Sequence, residues 1–451
     1  MHWTSLTEDE DSAEYKLQDD QTLEIRFLRP KTAICLISSH RTLLAADMSK
    51  GIRSSVEADR PQALRLRLPL GVLNKDLKLL FACNLAGSFG DGLYAYLLPV
   101  YMTDTLKAGP VEVGILYAVT SLFAALTLLI AGVLADRYDR KKIMIAGWIA
   151  WLPVPLIFAF AGNWIQMLPG MVMWGFWLGG PTTTAYITSI GSRNKLTLTF
   201  TMISAAWSIG YTFSPALGGY LAGIIGMRSV FLLAFVCYAV ACSFLTLTRS
   251  QYPTNALQRA SGEKYSLIRL LRTRKLLKLS AFFASAMFIL MMFRPFIPKY
   301  LVDVYHYGAL EIGVLGSVSF ASSAILGILL GKLGDKWRKS YALALTMASC
   351  SVSLIMLLLF GDFRILLVTS LFAGGSYLMW SLMNAVVGPL APEACSARWV
   401  SVPQTISMFS SFLAPYTSGI LYSASPLYPF VISIGATTAL ALIAATGVLE
   451  K

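Results

Sequence analysis

The sequence predicts an all-α polytopic membrane protein with twelve transmembrane helices in two pseudo-symmetric six-helix bundles, and three observations carry that expectation. Of 451 residues, 56% are hydrophobic and 14% charged, whereas a soluble domain carries about 25% charged residues. Apolar runs of about 20 residues, enough to cross about 30 Å of hydrocarbon as a helix, recur from Lys78 onward. Rare residue types also repeat at a single offset of 199 residues. That offset pairs Pro99 with Pro298, Tyr101 with Tyr300, Asp104 with Asp303, Glu112 with Glu311, Gly114 with Gly313, Gly132 with Gly331 and Asp136 with Asp335. An even number of helices per half gives both halves one orientation, related by an axis along the membrane normal.

Residues 1–76 have ordinary polarity, opening acidic (Glu8 to Asp11) and ending basic (Arg60, Arg65, Arg67, Lys75). They are expected to form a disordered cytoplasmic extension. The acidic opening and the lack of an apolar core argue against a targeting peptide; translation beginning at Met48 is an alternative. Six apolar segments follow, near 78–102, 111–134, 143–161, 164–188, 197–223 and 229–248, and make a bundle over 77–250. A basic cytoplasmic linker occupies 251–276. Six more segments, near 277–301, 311–333, 341–360, 364–388, 400–423 and 427–447, make the second bundle over 277–451.

Two tight junctions, third to fourth and eleventh to twelfth, leave eleven segments open, but twelve makes the charges alternate. Arg137, Arg140, Lys141, Lys142, Arg193, Lys195, the linker, Lys332, Lys336, Arg338, Lys339 and Arg398 then share the side of the N-terminus. Opposite gaps hold only Lys107, Arg228, Lys299 and Arg364. Basic loops mark the cytoplasmic side, so a multi-pass protein of the cell membrane with both termini in the cytoplasm is expected. The formal charge of +13 records orientation, not a nucleic-acid partner.

Several chemistries are not supported. Six cysteines show no CxxC spacing and read as small core residues. His2, His40 and His306 do not cluster, so no metal site or His-based catalytic site is expected. Gly327 to Lys332 imitates a nucleotide loop but is one residue short between its glycines and lacks the following Ser or Thr. The chain is expected to need no cofactor, to hydrolyse no ATP, to be no enzyme and to act as a monomer in the lipid bilayer.

Gly132-Val133-Leu134-Ala135-Asp136-Arg137-Tyr138-Asp139-Arg140-Lys141-Lys142 lies where the second segment leaves the membrane, and Gly331-Lys332-Leu333-Gly334-Asp335-Lys336-Trp337-Arg338-Lys339 is its degenerate copy. The pair resembles the loop signature of the major facilitator superfamily of secondary transporters, with Asp139 where the family usually has glycine. The resemblance covers about residues 77–447. It implies that Gly132, Asp136, Arg137, Arg140, Gly331 and Asp335 gate the cytoplasmic side: an acid at a helix end pairs in one conformation and lets go in the other. In the fifth segment, Gly210-Tyr211-Thr212-Phe213-Ser214-Pro215-Ala216-Leu217-Gly218-Gly219 is similar to the family's antiporter signature, with Ser214 replacing a glycine. Gly210, Pro215, Gly218 and Gly219 are expected to form a helix-packing hinge, since small residues let helices approach closely. Pro415 and Gly419 occupy the corresponding eleventh segment, and no arginine stands near Met171 and Gly175, where proton-coupled exporters usually carry one.

Ionisable residues inside a membrane are costly and face a cavity or a partner. Asp91 lies mid-way along the first segment on one helical face with Asn84, Gly87 and Ser88. Arg294 lies in the seventh, the repeat partner of the first. Proton carrier, cation site and counter-ion of Arg294 remain open roles for Asp91. Asn84, Tyr94, Asn384 and Gln404 are further candidates for substrate or proton contact, and Trp174, Trp177, Trp207 and Trp380 for an aromatic wall suited to flat or cationic ligands. The expected function is proton-coupled export of a small amphipathic compound by alternating access. Uptake of a metabolite, with Arg294 suited to an anionic group, and a non-transporting receptor or scaffold are the alternatives.

Overall fold

The computed structural model describes residues 3–9, 12–17, 22–28, 32–38, 73–191, 196–252, 273–336, 338–387, 390 and 396–447. The chain divides into two compact units, Met1–Arg67 and Leu68–Lys451. In the first, β1 (Trp3–Asp9), β2 (Ser12–Leu17), β3 (Thr22–Leu28) and β4 (Thr32–Ser38) form an antiparallel sheet in chain order. Its register sets Leu23 opposite Ile37 and Ile25 opposite Cys35. The stretch is polar on average, yet Leu23-Glu24-Ile25-Arg26-Phe27 alternates with the two-residue period of a strand.

The second unit is all-α and polytopic. Its helices are α1 (Lys75–Ala95, continued by Leu98–Asp104), α2 (Pro110–Arg137), α3 (Arg140–Trp151 and Val154–Phe160), α4 (Trp164–Trp174 and Gly179–Ile190), α5 (Leu196–Ile225) and α6 (Met227–Thr246). Then come α7 (Arg274–Phe293 and Ile297–Asp303), α8 (Ala309–Lys336), α9 (Lys339–Leu359), α10 (Phe363–Ala373 and Met379–Val387), α11 (Ser396–Ser411 and Leu413–Ala424) and α12 (Tyr428–Ala445). Among the described residues, eight of these are long and apolar enough to cross a membrane: α2, α3, α6, α7, α8, α9, α10 and α12. The other four are richer in polar or small residues, such as Asn84, Ser88 and Asp91 in α1 or Thr199, Ser204, Ser208 and Thr212 in α5.

Local chemistry sets several boundaries. Asn74, Asp139, Asn163 and Asp362 cap α1, α3, α4 and α10 by accepting from Leu77 N at 2.9 Å, Lys141 N at 3.0 Å, Gln166 N at 3.1 Å and Arg364 N at 2.9 Å. Breaks fall next to Pro99 in α1, at Pro153 in α3 and at Pro295 in α7, because proline has no N–H to donate.

The repeat is visible in the backbone. Thr105 N donates to Tyr101 O and Ala108 N to Met102 O; in the second half Val304 N donates to Tyr300 O and Tyr307 N to Leu301 O. Between these bonds Lys107 (φ 54°) and His306 (φ 58°) occupy the left-handed region, the two non-glycine residues that do so among those described. Packing repeats as well: α1 lies on α5 and α6 as α7 lies on α11 and α12. The halves meet along α5 against α8 and α2 against α11.

Glycines make that seam close. A Cβ on Gly219 would strike Ala309 O and one on Gly313 would strike Pro215 O; in the other seam one on Gly114 would strike Pro415 O, and one on Gly419 would lie 2.5 Å from Pro110 O. Each of these contacts is at the end of the helices remote from the basic loops.

Candidate functional site

Asp91 is 3% exposed and sits in α1 inside a cage of aromatic donors. Oδ1 accepts from Tyr94 OH at 3.0 Å, Tyr238 OH at 2.6 Å and Trp174 Nε1 at 3.0 Å. Oδ2 accepts from Tyr211 OH. These side chains come from α1, α6, α4 and α5, so four helices converge on one carboxyl group; the Tyr94 and Tyr238 hydroxyls lie 2.9 Å apart and, with one hydrogen each, make two of the three contacts among themselves and Oδ1 at a time. A hydrogen bond to a charged group is worth about 1.5–3 kcal/mol, and an aspartate at a helix centre in the membrane costs about 2.5–3.5 kcal/mol. These donors reduce the cost of the burial without a cation. Among the described residues no basic side chain pairs with Asp91, so the counter-ion role for Arg294 is not realised in this conformation.

Arg294 lies in the second half with its guanidinium 4.1 Å from the Tyr377 ring centre. A run of rings separates it from Asp91: Tyr211 to Phe320 is 4.7 Å between centres and Phe320 to Tyr377 is 4.4 Å.

A cavity of about 210 Å³ lies in the first half between α1, α3, α4 and α5, toward the basic end. Asn84, Trp148, Trp151, Trp177, Phe200 and Trp207 line it, and no charged residue does. Its walls back onto the cage. Trp207 stacks on Tyr211 at 6.0 Å and 19°, and Trp148 meets Tyr238 edge-on at 5.6 Å. Gly87 makes room for the Trp148 ring to lie across α1.

The expected site residues thus separate. Asp91, Tyr94 and Trp174 join in the cage; Asn84, Trp177 and Trp207 line the cavity; Trp380 packs in the second half instead. Asn384 and Gln404 do not line this cavity; Gln404 Nε2 donates to Asn384 Oδ1 at 2.8 Å, tying α10 to α11. Gly210 and Gly218 pack α5 on Ser88 and Leu93 of α1, while Pro215 and Gly219 meet α8. Ser214, the departure from the signature, is accommodated by Gly92, whose missing side chain leaves room for the Ser214 hydroxyl.

At the basic end Arg137 is exposed, whereas Arg140 is buried, its Nη1 donating to Ser189 Oγ at 2.7 Å and to Ala185 O at 3.2 Å. Gly331 has nothing within 4 Å of a built Cβ, so packing does not require glycine there. The side chains of Asp136 and Asp335, the surroundings of Gly132 and the linker residues 253–272 lie outside the described residues. Asp139 caps α3 and also accepts from Gln251 N at 2.9 Å, while Arg140 N donates to Gln251 O at 2.9 Å. The chain leaving α6 is thereby fastened to the loop between α2 and α3.

Tyr211, Tyr238, Trp148, Trp151 and Phe320 escape sequence reasoning as site residues. Tyr211 stands inside the α5 signature; the others are aromatics among many, with no spacing that singles them out.

The Major Facilitator Superfamily family description matches residues 80–415 and 284–450. The chain belongs to the Major Facilitator Superfamily. Membership of the superfamily makes it a multi-pass secondary transporter of the lipid bilayer that carries a small-molecule substrate. Among relatives, the multi-drug resistance efflux pump PmrA of Streptococcus pneumoniae serotype 4 is 24% identical over 359 residues, covering 75% of this chain and 87% of PmrA. Multidrug resistance protein 2 of Bacillus subtilis is 24% identical over 373 residues, covering 79% of this chain and 91% of that protein. The superfamily fold is shared with the nucleoside transporter NupG, with a TM-score of 0.67 at 13% identity over 83% of this chain and 99% of NupG.

Proposed function

We propose that this chain exports a flat, ring-bearing organic compound in exchange for protons, by rocking two halves, 77–250 and 277–451, about a site near the membrane midplane. One observation carries the reading: the acid Asp91 has only aromatic donors around it, and two of those donors back onto the walls of a cavity lined by rings. A dry cavity of about 150 Å³ takes up benzene, so about 210 Å³ accommodates a flat compound somewhat larger than benzene. Tryptophan faces also attract cations. Asp91 is the proton site, because protonating a carboxylate turns one of its oxygens from acceptor to donor and forces the cage to rearrange. The named activity of PmrA supports the outward direction. Positive loops support cytoplasmic termini in a cell membrane, and the protein works as a monomer because each chain holds a whole cage and cavity.

The test is Asp91→Asn in proteoliposomes, with N-methylquinolinium as the probe: it is flat, and its permanent charge does not titrate. Flux driven by a pH gradient falls at least tenfold while counterflow of the probe persists. Unchanged behaviour in both assays overturns the proton-site reading, and saturable binding without flux under any gradient favours a receptor. Antibody access to a C-terminal epitope on intact cells would overturn the orientation.

Arg294 favours a second reading. Its partner is the Tyr377 ring and, among the described residues, no carboxylate pairs with it, which suits uptake of an anionic metabolite; Arg294→Gln abolishing organic-anion uptake would support it.

A further inference from the structure

The two oxygens of Asp91 are not equivalent. Oδ1 faces Tyr94, Tyr238 and Trp174, the two phenols sharing two hydrogens among three contacts, and Oδ2 faces Tyr211 alone. Each carboxylate oxygen has two lone pairs, and Oδ2, with Tyr211 as its one donor, keeps the other open to a proton. Oδ1 is the more crowded oxygen, so the proton settles on Oδ2. The bond from Tyr211 thereby loses its charged acceptor and weakens: the phenol donates to a neutral oxygen, or its hydrogen turns away and its oxygen accepts from Oδ2–H. No covalent bond breaks in either case.

Among the four donors, Tyr211 is the one whose ring touches the second half, through Phe320 of α8 at 4.7 Å. The contact lies within the α5–α8 seam, where Ala216 N donates to Ser317 Oγ at 2.9 Å and Gly219 and Gly313 bring the backbones together. Tyr238, which also touches the cavity wall through Trp148, remains in the first half. The titratable groups facing Asp91 are phenols: Tyr94 of α1, Tyr117 of α2, Tyr211 of α5 and Tyr238 of α6. The charged Arg294 lies beyond Phe320 and Tyr377.

We propose that Tyr211 is the positioning residue that transmits the protonation of Asp91 across the α5–α8 seam, through Phe320, to the second half. The proposal rests on Asp91 being the proton site. Tyr211 tells the seam, and Tyr238 the cavity, which state the acid is in.

Two quantities separate the outcomes: N-methylquinolinium binding by tryptophan fluorescence at pH 6 and pH 8, and its flux under a pH gradient. In Tyr211→Phe the ring stays and the hydroxyl goes. Binding remains within about threefold of the parent and still varies with pH, while gradient-driven flux falls at least tenfold. Phe320→Leu, which removes no group that bonds Asp91 but takes away the ring against Tyr211, gives the same loss of flux with binding and its pH dependence unaltered. Parental flux in either variant overturns the proposal, as does a Tyr211→Phe protein that loses binding and flux in equal measure, which is the behaviour of a wall residue. Asp91→Asn marks the other failure: if its binding still depends on pH, the proton-site reading itself is wrong, whatever Tyr211→Phe does.

Discussion

Replacing Gly419 by alanine tests whether the glycine seams set the balance between the two orientations of the halves. A Cβ there would lie 2.5 Å from Pro110 O and 3.0 Å from Val111 Cα, where ordinary contact begins at 3.4 Å. The obstacle is backbone, so no side chain can swing aside, and α11 must move from α2 by about 0.9 Å to restore ordinary contact. Overpacking of this kind costs about 1–3 kcal/mol, and the cost falls only on the conformation in which the two helices touch. Opening at that end is therefore favoured roughly 5- to 150-fold. The reporter belongs on the other seam. Ser317 accepts from Ala216 N across α5 and α8, so a Ser317→Cys thiol is shielded while that seam is closed. Its labelling by a maleimide, measured against the parent without that cysteine, rises at least fivefold in Gly419→Ala if the halves move as rigid bodies. A rate within twofold of the control refutes the reasoning, because a wedge in one seam would then leave the other unaffected.

Three further outcomes follow from the same geometry. Trp207→Ala removes a ring contact worth about 0.5–1.5 kcal/mol from the cavity wall, raising the Kd for N-methylquinolinium roughly two- to twelvefold; an unaltered Kd places the ligand elsewhere. Asp139→Ala removes the α3 cap, about 0.5–2 kcal/mol, together with the bond to Gln251 N, and speeds tryptic cleavage after Arg249; cleavage at the parental rate means the clamp does not restrain the chain leaving α6. Because Asp91 and Arg294 are separated by Phe320 and Tyr377, the effects of Asp91→Asn and Arg294→Gln on thermal stability add to within about 0.5 kcal/mol, and a coupling well above that shows a direct pair.

The membrane body and the repeat are legible along the chain, and so is the acid Asp91 standing within an apolar segment. Composition and run length report solvation, which acts residue by residue, and the repeat pairs rare residues at one offset, so both are readable along the chain. The α5 glycines were legible for the same reason: close backbone approach leaves a residue no other choice. Strands such as β3 of the first unit are hard to read along the chain, because a two-residue alternation over seven positions disappears in an average over polarity. What surrounds Asp91 only the tertiary structure decided. Tyr94 is three residues away, but Trp174, Tyr211 and Tyr238 are brought in by α4, α5 and α6, and an aromatic hydroxyl in an apolar helix looks the same in sequence whether it meets an acid, a lipid or another ring. Pairing of Asp91 with Arg294 is also a matter of distance, and the rings between them set it. Asn384 and Gln404 show the same limit, for the bond between them joins positions twenty residues apart on α10 and α11.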